Sequence, residues 1–380
     1  GYIMWDIEVS SSDISQKDIE IVCETMKSNW LSMGPKVKEF ESMWAKELGI
    51  NYISAVSSGT AALHLACLCC EFTYGDEVIV PALTFVATAN AVKYTGATPI
   101  ISDIESKDNL ILSIEEIRKN ITSKTKGIII VHYAGYTYNI EEISKLAKEY
   151  NLYLIEDAAH AITSSYNNKS LGTYGDLACF SFYPNKNITT GEGGVIATNN
   201  KDFHEKIRSL RTHGMTTETW NRYNSSISTY DVNNLGYNYR MDDLRASLGI
   251  SQFKNMKRNK IHRKNLVNKY RELLLGYKEI TIPFLTNNTD SSNYIFVIFV
   301  KNPILKEKMI TDLRNEKIQT SFHYTPLHKF SYYKSKNLLP IVEEVSKGLV
   351  TLPLHNRLSI NDVKRVCTII SKSIQEWREQ

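Results

Sequence analysis

Residues 127–157 read GIIIVHYAGYTYNIEEISKLAKEYNLYLIED. The stretch opens on an apolar run at 127–133, passes through an amphipathic segment at 140–150 and closes on a second apolar run at 152–157. Strands this apolar must be covered on both faces, which is the situation of a parallel sheet packed between helices. The segment between them has the length of one crossover helix. A β-α-β unit is therefore legible here, and it sets the class of the chain as α/β.

The same alternation extends outward over roughly residues 50–200. Further strand candidates are 53–56, 77–81, 98–103, 177–183 and 194–198, with helical stretches at 60–70 and 84–94. The polar stretch 215–234, MTTETWNRYNSSISTYDVNN, has no sustained period and reads as a long excursion of the kind that is usually functional or mobile. From residue 241 the pattern becomes one long amphipathic helix to about 275. A strand-like segment at 292–300, a helix at 304–315, the segment 320–328 and a final helix from about 361 then describe a smaller α+β unit. The expected organisation is a large domain over 1–250, with a mostly parallel central sheet, and a small C-terminal α+β domain over 251–380. A length of 380 residues fits such a division, at roughly 150 residues per domain.

Composition removes several classes. Lys plus Arg is 45 and Asp plus Glu is 41, a net charge of +4 with no basic cluster, so no nucleic-acid partner is expected. The start, GYIMWDIEVSSSDIS, lacks the charged and apolar regions of a signal peptide, and no apolar run approaches the ~20 residues that span a bilayer. A cytoplasmic protein with no membrane partner is expected. Of the six cysteines, Cys67 and Cys70 form a CxxC inside the apolar run AALHLACLCC, where they read as buried core rather than redox or metal groups. No HExxH and no paired Cys/His spacing argues for a metal.

The glycine cluster Gly191-Glu192-Gly193-Gly194 runs into strand-like residues and not into a helix, so it is not a dinucleotide fingerprint, and no GxxxxGK[ST] is present. Three other groups fall at strand ends, on the ligand-binding edge of an open α/β sheet. Ser57-Ser58-Gly59-Thr60 follows a strand and opens a helix, which offers backbone N–H groups and a hydroxyl to a phosphate, or simply a capped helix start. Glu156-Asp157 closes a strand with carboxylates, and Ser181-Phe-Tyr-Pro-Asn-Lys186 ends another with a lysine. Phosphate cup, carboxylate and lysine are the three contacts that hold pyridoxal 5′-phosphate (PLP): its phosphate, its ring nitrogen and its aldehyde.

The segments SSGTAALHLA, VPALTFVATANAV, GATPIISD, LIEDAAHA, FSFYPNKNITTGEGG, LGYNYRMDDLRA and HYTPLH resemble, in order and spacing, the motifs of the DegT/DnrJ/EryC1/StrS family of nucleotide-sugar aminotransferases. The resemblance covers about residues 14–360. It implies a fold type I, aspartate-aminotransferase-like enzyme and a homodimer with the active site at the subunit interface. Carried onto this chain, it implies that Lys186 links covalently to the cofactor and that Asp157 pairs with the ring nitrogen. Gly59, Thr60 and Ser181 would contact the phosphate, and Asn238 would reach it from the other subunit. Phe85 matches the aromatic position over the ring, and His160 a Gln/His position beside it. Two departures stand out: Tyr183-Pro184 replaces a frequent His-Pro or His-Ala, and His132-Tyr133-Ala134-Gly135 replaces a common His-Leu-Tyr-Gly.

Candidates for the acceptor site are Trp30, Leu31 and Ser32 in NWLSMGP, Trp220 and Arg222 in the excursion, and His323, Tyr324 and His328 in HYTPLH. The expected function is amino transfer from L-glutamate to a phosphate-bearing keto compound. By resemblance, that compound is a nucleotide-activated keto-deoxysugar destined for a surface glycan, capsule or antibiotic. A small phosphorylated ketone such as dihydroxyacetone phosphate is the alternative within the class. A non-catalytic PLP-binding regulator and a PLP lyase or dehydratase are the alternatives outside it. A lysine at position 186, where some family members carry histidine and act as dehydratases, favours amino transfer.

Overall fold

The computed structural model describes residues 4–217, 223 and 229–379. The central sheet has seven strands: β1 (Tyr52–Val56), β2 (Glu77–Pro81), β3 (Thr98–Ser102), β4 (Thr125–Val131), β5 (Tyr153–Asp157), β6 (Leu177–Ser181) and β7 (Gly194–Thr198). Their order is β1-β7-β6-β5-β4-β2-β3, and only β7 runs against its neighbours. The alternation of apolar runs and helical stretches over residues 50–200 thus becomes a mostly parallel sheet, buried on both faces. Close approach shapes one edge: a Cβ at Gly194 would stand 2.6 Å from the Phe180 carbonyl oxygen and 2.7 Å from that of Ser58, so only glycine fits where β7 pairs with β6 beside the start of the helix Gly59–Cys69.

One side of the sheet near β6 is filled by aromatic side chains. Trp44 and Phe40, from the helix Pro35–Leu48, are fully buried against Phe180 and Phe182, with ring centroids 5.3 to 5.5 Å apart. This layer backs the strand that leads to Lys186. Trp44→Ala removes the largest buried side chain and is expected to destabilise by about 3–5 kcal/mol in chemical denaturation. Trp44→Phe should cost much less, because the buried indole N–H has no hydrogen-bond partner to lose. Cys67 and Cys70 lie buried in the core, where burial pushes both thiols up.

The expected single helix from 241 is two helices, Asp243–Phe253 and Met256–Leu274. The first is capped by Asp242, whose side chain accepts from the Arg245 N–H, and packs against Gln16–Lys27 and Pro35–Leu48. The second begins in the same core at Met256 and buries Leu266, Val267, Tyr270 and Leu274 in a different one, so the pair links two cores. That second core belongs to a three-stranded antiparallel sheet, β8 (Ile280–Thr281), β9 (Phe296–Val300) and β10 (Leu349–Leu352), covered by Pro303–Asn315 and Ile360–Arg378. Ile7 also packs in it and pairs with Ile318, so the first described residues cross to the C-terminal unit.

Candidate active site

Asp157 is the last residue of β5, level with Val131 of β4 and Cys179 of β6. Its carboxylate is buried. Oδ2 accepts from the Thr88 hydroxyl at 2.8 Å and Oδ1 from the Ala159 N–H at 3.2 Å. Burial pushes this carboxyl above its ordinary range, and the bonds from Thr88 and Ala159 and the charge of Lys186 oppose that only in part. The neighbouring Glu156 faces the other side, as strand alternation requires. It accepts from the N–H groups of Gly172, Tyr174 and Gly175 at 2.8 to 2.9 Å and from His132 Nε2 at 2.8 Å. Burial works against its charge, yet the His132 bond and these amides hold it below the ordinary carboxylate value. Of the two carboxylates, one is spent on the fold and the other opens to a cavity.

That cavity, of about 430 Å³, collects Gly59, Thr60, Phe85, Asp157, His160, Ser181, Lys186, His323 and Tyr324, together with Tyr183 and Tyr294. Ser58 caps the helix Gly59–Cys69, its hydroxyl accepting from the Ala61 N–H at 3.0 Å. The two readings of SSGT are compatible: Ser58 caps, while Gly59 and Thr60 line the cavity, and first-turn amides have no intrahelical acceptor. Gly59 lies so near Ser181 that a Cβ there would stand 2.8 Å from Ser181 Cβ. Helix start and strand end thus converge on one small concave cup that a larger residue would fill.

Lys186 Nζ donates to the Tyr294 hydroxyl at 3.2 Å and lies 4.3 Å from the centroid of that ring. Burial pulls the amine down to about 8, and the Asp157 charge only partly offsets this. The loop carrying it is pinned at its base, where the Phe182 carbonyl accepts from the Thr190 N–H and the Phe182 N–H donates to Gly193. The His160 ring is tilted 40° to that of Tyr294 with centroids 4.3 Å apart, and its Nε2 lies 2.8 Å from the Tyr324 hydroxyl. His323 Nδ1 pairs with Thr351 Oγ1 at 2.8 Å, and burial pulls its imidazole down to about 4. Phe85 remains 58% exposed at the mouth, and Tyr183, one of the two departures, is 48% exposed on the wall.

Other candidates lie elsewhere. Asn238 is exposed and does not line the cavity of its own chain; its strand-like stretch bridges Thr212, and the adjacent Tyr239 carbonyl accepts from the Ser57 N–H. Trp30 is half-buried with Nε1 donating to the Met33 carbonyl at 3.4 Å, and Leu31 and Ser32 are exposed beside Asp243. His328 Nε2 pairs with Glu343 at 3.0 Å, outside the cavity. Trp220 and Arg222 lie outside the described residues. Two polar groups that sequence reading missed belong to the cavity region: Tyr294, inside an apolar strand-like run with no motif to mark it, and Thr88, which is seen only once the helix Ala87–Tyr94 is set against β5.

The residues fit PLP: a cup at a helix start for its phosphate, a buried carboxylate that gains a partner when a protonated ring nitrogen is set against it, and an amine within the same cavity. Sheet order and cavity together define the class, a fold type I PLP-dependent enzyme. Comparison with known proteins gives the family. The sequence profile of the DegT/DnrJ/EryC1/StrS aminotransferase family matches residues 12–371. The chain is 36% identical to the spore coat polysaccharide biosynthesis protein SpsC of Bacillus subtilis, over 93% of each protein. It is 34% identical to the GDP-perosamine synthase of Escherichia coli O157:H7, over 96% of this chain and 98% of that one. Among solved structures, the aminotransferase TlmJ of Streptoalloteichus hindustanus superposes with a TM-score of 0.92 at 28% identity, covering 98% of this chain and 99% of that one. Spr1654 of Streptococcus pneumoniae, in its PLP form, gives 0.87 at 28% identity over 96% and 98%. This chain belongs to the DegT/DnrJ/EryC1/StrS family and is a PLP-dependent aminotransferase.

Proposed function

We propose that the enzyme moves an amino group from L-glutamate to a nucleotide-activated keto-deoxysugar in surface-glycan biosynthesis. The observation that carries this reading is the convergence of Lys186, Asp157 and the Gly59 helix start on one cavity. The substrate class is supported by the relatives, one a spore-coat polysaccharide protein and another a GDP-perosamine synthase. Among the described residues no helix is long and apolar enough to cross a membrane.

In this reading Gly59, Thr60 and Ser181 would hold the phosphate of PLP, Asp157 would accept from its ring nitrogen, and Phe85 and His160 would bound the ring. When bound, PLP supplies an electrophilic aldehyde and a ring that withdraws electrons. Lys186 is the group that would hold it covalently, and its amine would move the proton. An amine with its pKa drawn down to about 8 is unprotonated in an appreciable fraction near neutral pH, so it can both attack and accept a proton. Tyr294 holds that amine by one hydrogen bond and by its ring face. The buried His160 and Tyr294 and the half-buried Tyr324 line the cavity that holds the amine.

The test is spectral. PLP-loaded enzyme should lose its yellow colour on adding L-glutamate. The colourless form is then offered GDP-4-keto-6-deoxymannose, UDP-linked 4-keto sugars and dihydroxyacetone phosphate. Return of colour with a nucleotide sugar supports the reading; return only with dihydroxyacetone phosphate replaces it with the small-ketone alternative. Colour that glutamate does not discharge points to a lyase or another donor.

The same reading makes the enzyme a homodimer with shared sites, in which the exposed Asn238 completes the phosphate cup of the other subunit. Asn238→Asp puts a carboxylate against a phosphate dianion and should weaken cofactor binding. Lys186→Ala subunits mixed with Asn238→Asp subunits should regain up to about half the wild-type activity per heterodimer, because one site then has both residues intact. An active monomer in light scattering refutes the shared site.

A further inference from the structure

Three groups on the cavity wall form a directed chain of hydrogen bonds. The backbone N–H of Ala134 donates to His160 Nδ1 at 3.1 Å. A ring nitrogen that accepts from an amide cannot itself carry a proton, so a neutral His160 is the Nε2–H tautomer. The ring is kept neutral by its full burial, with the charge of Lys186 acting in the same direction. His160 Nε2 lies 2.8 Å from the Tyr324 oxygen, and in this tautomer the imidazole donates and the phenol accepts. The proton of Tyr324 is then not engaged by His160, and among the described residues no other acceptor is within hydrogen-bond reach of it. Burial holds the phenol in its protonated form.

Both ends of the chain are fixed. The Ala134 carbonyl accepts from Ser291 Oγ at 3.2 Å, and the Tyr133 hydroxyl donates to the carbonyl of His323, the residue before Tyr324. Tyr324 lines the cavity on the side of its mouth, 6.0 Å from Phe85 between ring centroids. The groups suited to the cofactor, Asp157, Ser181 and Lys186, lie at or just beyond the strand ends.

We propose that Ala134, through His160, sets the Tyr324 hydroxyl as a hydrogen-bond donor to an oxygen of the keto acceptor, which makes Tyr324 a specificity-determining residue and His160 its positioning residue. This rests on the reading of the cavity as the place where a keto acceptor is aminated. A keto sugar carries carbonyl and hydroxyl oxygens, all of which accept from such a donor, and a phenol with its proton turned inward rejects a group that can only donate.

The polarity of the chain gives the test. Gln at position 160 can accept from Ala134 through Oε1 and donate to Tyr324 through Nε2, as the imidazole does. Glu at the same position accepts from both sides and turns the Tyr324 proton away from the cavity. With GDP-4-keto-6-deoxymannose, UDP-linked 4-keto sugars and dihydroxyacetone phosphate as probes, Tyr324→Phe should raise the half-saturating concentration of whichever probe wild type aminates fastest by about tenfold. The glutamate half-reaction should move much less. His160 would also flank the cofactor, so His160→Glu is compared only with His160→Gln at saturating PLP: Glu should show the acceptor defect, and Gln should restore acceptor saturation. Equal losses in both half-reactions for Tyr324→Phe, or a His160→Gln that saturates with the acceptor no better than His160→Glu, overturn the proposal. Ring ¹⁵N spectra of the PLP-loaded enzyme give a readout independent of turnover: a proton on Nε2 is required, and a proton on Nδ1 refutes the chain. If wild type aminates none of the probes, the acceptor reading of the cavity fails first, and the ¹⁵N spectra then decide the tautomer alone.

Discussion

Lys186→Ala is expected to abolish amino transfer while leaving the cofactor bound without a covalent link. The loss is large because the proposed reading gives one side chain two tasks, attack on the aldehyde and proton movement, and the second alone is worth about 10²- to 10⁴-fold. Single-turnover reaction with L-glutamate measures it, and retention of more than about a tenth of the wild-type rate would show that another lysine carries the chemistry. After borohydride reduction and denaturation PLP should stay with wild type and come away from this variant. Stability gives an independent check in the cofactor-free protein. Burial draws the Lys186 amine from its ordinary 10.5 down to about 8, so between these values the unfolded chain binds more protons than the folded one. Wild-type stability should therefore rise with pH from about 8 to 10.5. Lys186→Met, which removes the charge and keeps the length, should melt at least as high as wild type at pH 7, with the gap closing over the same interval. A gap that widens with pH would contradict a buried, destabilised ammonium at this position.

How far the sequence reached depended on which physics governed each residue. Strands β4 and β5 were legible because burial on both faces leaves only apolar residues to choose from, and their ends fell within two residues of the expected ones. Asp157 is legible as a candidate because a carboxylate at the end of such a strand is costly without a partner. Its neighbour Glu156 satisfies the same pattern, and the amides of Gly172, Tyr174 and Gly175 together with His132, brought in from elsewhere in the chain, distinguish the carboxylate bound into the fold from the one that faces the cavity. The sequence from 241 reads as one continuous helix because both halves are amphipathic, and nothing local marks the break that falls before the buried face passes from one core to the other. Tyr294 was invisible for a related reason: in the run YIFVIFV a tyrosine reads as one more β-forming aromatic, and its hydroxyl gains meaning only from the Lys186 amine, which lies more than a hundred positions earlier in the chain. His328 illustrates the converse, a polar residue in a recognisable motif whose partner is the nearby Glu343. Motif residues that close the strands were easier to place than those on connecting segments, since a strand end has a fixed position in the sheet and a loop does not.

Asp157→Asn is expected to separate chemistry from stability. The substitution is nearly isosteric, and its effect on the fold can be followed bond by bond. The Ala159 N–H still finds an acceptor if the amide oxygen occupies the Oδ1 position, and the new NH₂ then faces Thr88 Oγ1, which now lies 2.8 Å from Oδ2. A hydroxyl can turn and accept, passing its own proton to Thr84 Oγ1, also 2.8 Å away. No buried polar group is stranded, and burial no longer works against a charge, so the melting temperature should stay near that of wild type. The electrostatic consequence is opposite in size. A carboxylate can hold a proton on a ring nitrogen against deprotonation, whereas an amide offers only a dipole in the same place, so the ring becomes a poorer acceptor of electrons. The glutamate half-reaction should slow by about 10²- to 10³-fold, the range found when one preorganised electrostatic group is removed from an active site. The pH dependence gives the sign. Burial raises the Asp157 pKa in the cofactor-free protein, so the wild-type affinity for PLP should fall as pH drops into that raised range, and the Asn variant should lack this acid limb. Equal half-reaction rates in the two proteins would remove Asp157 from the mechanism. A slow variant that also melts much lower would show that the carboxylate serves the fold, as Glu156 does.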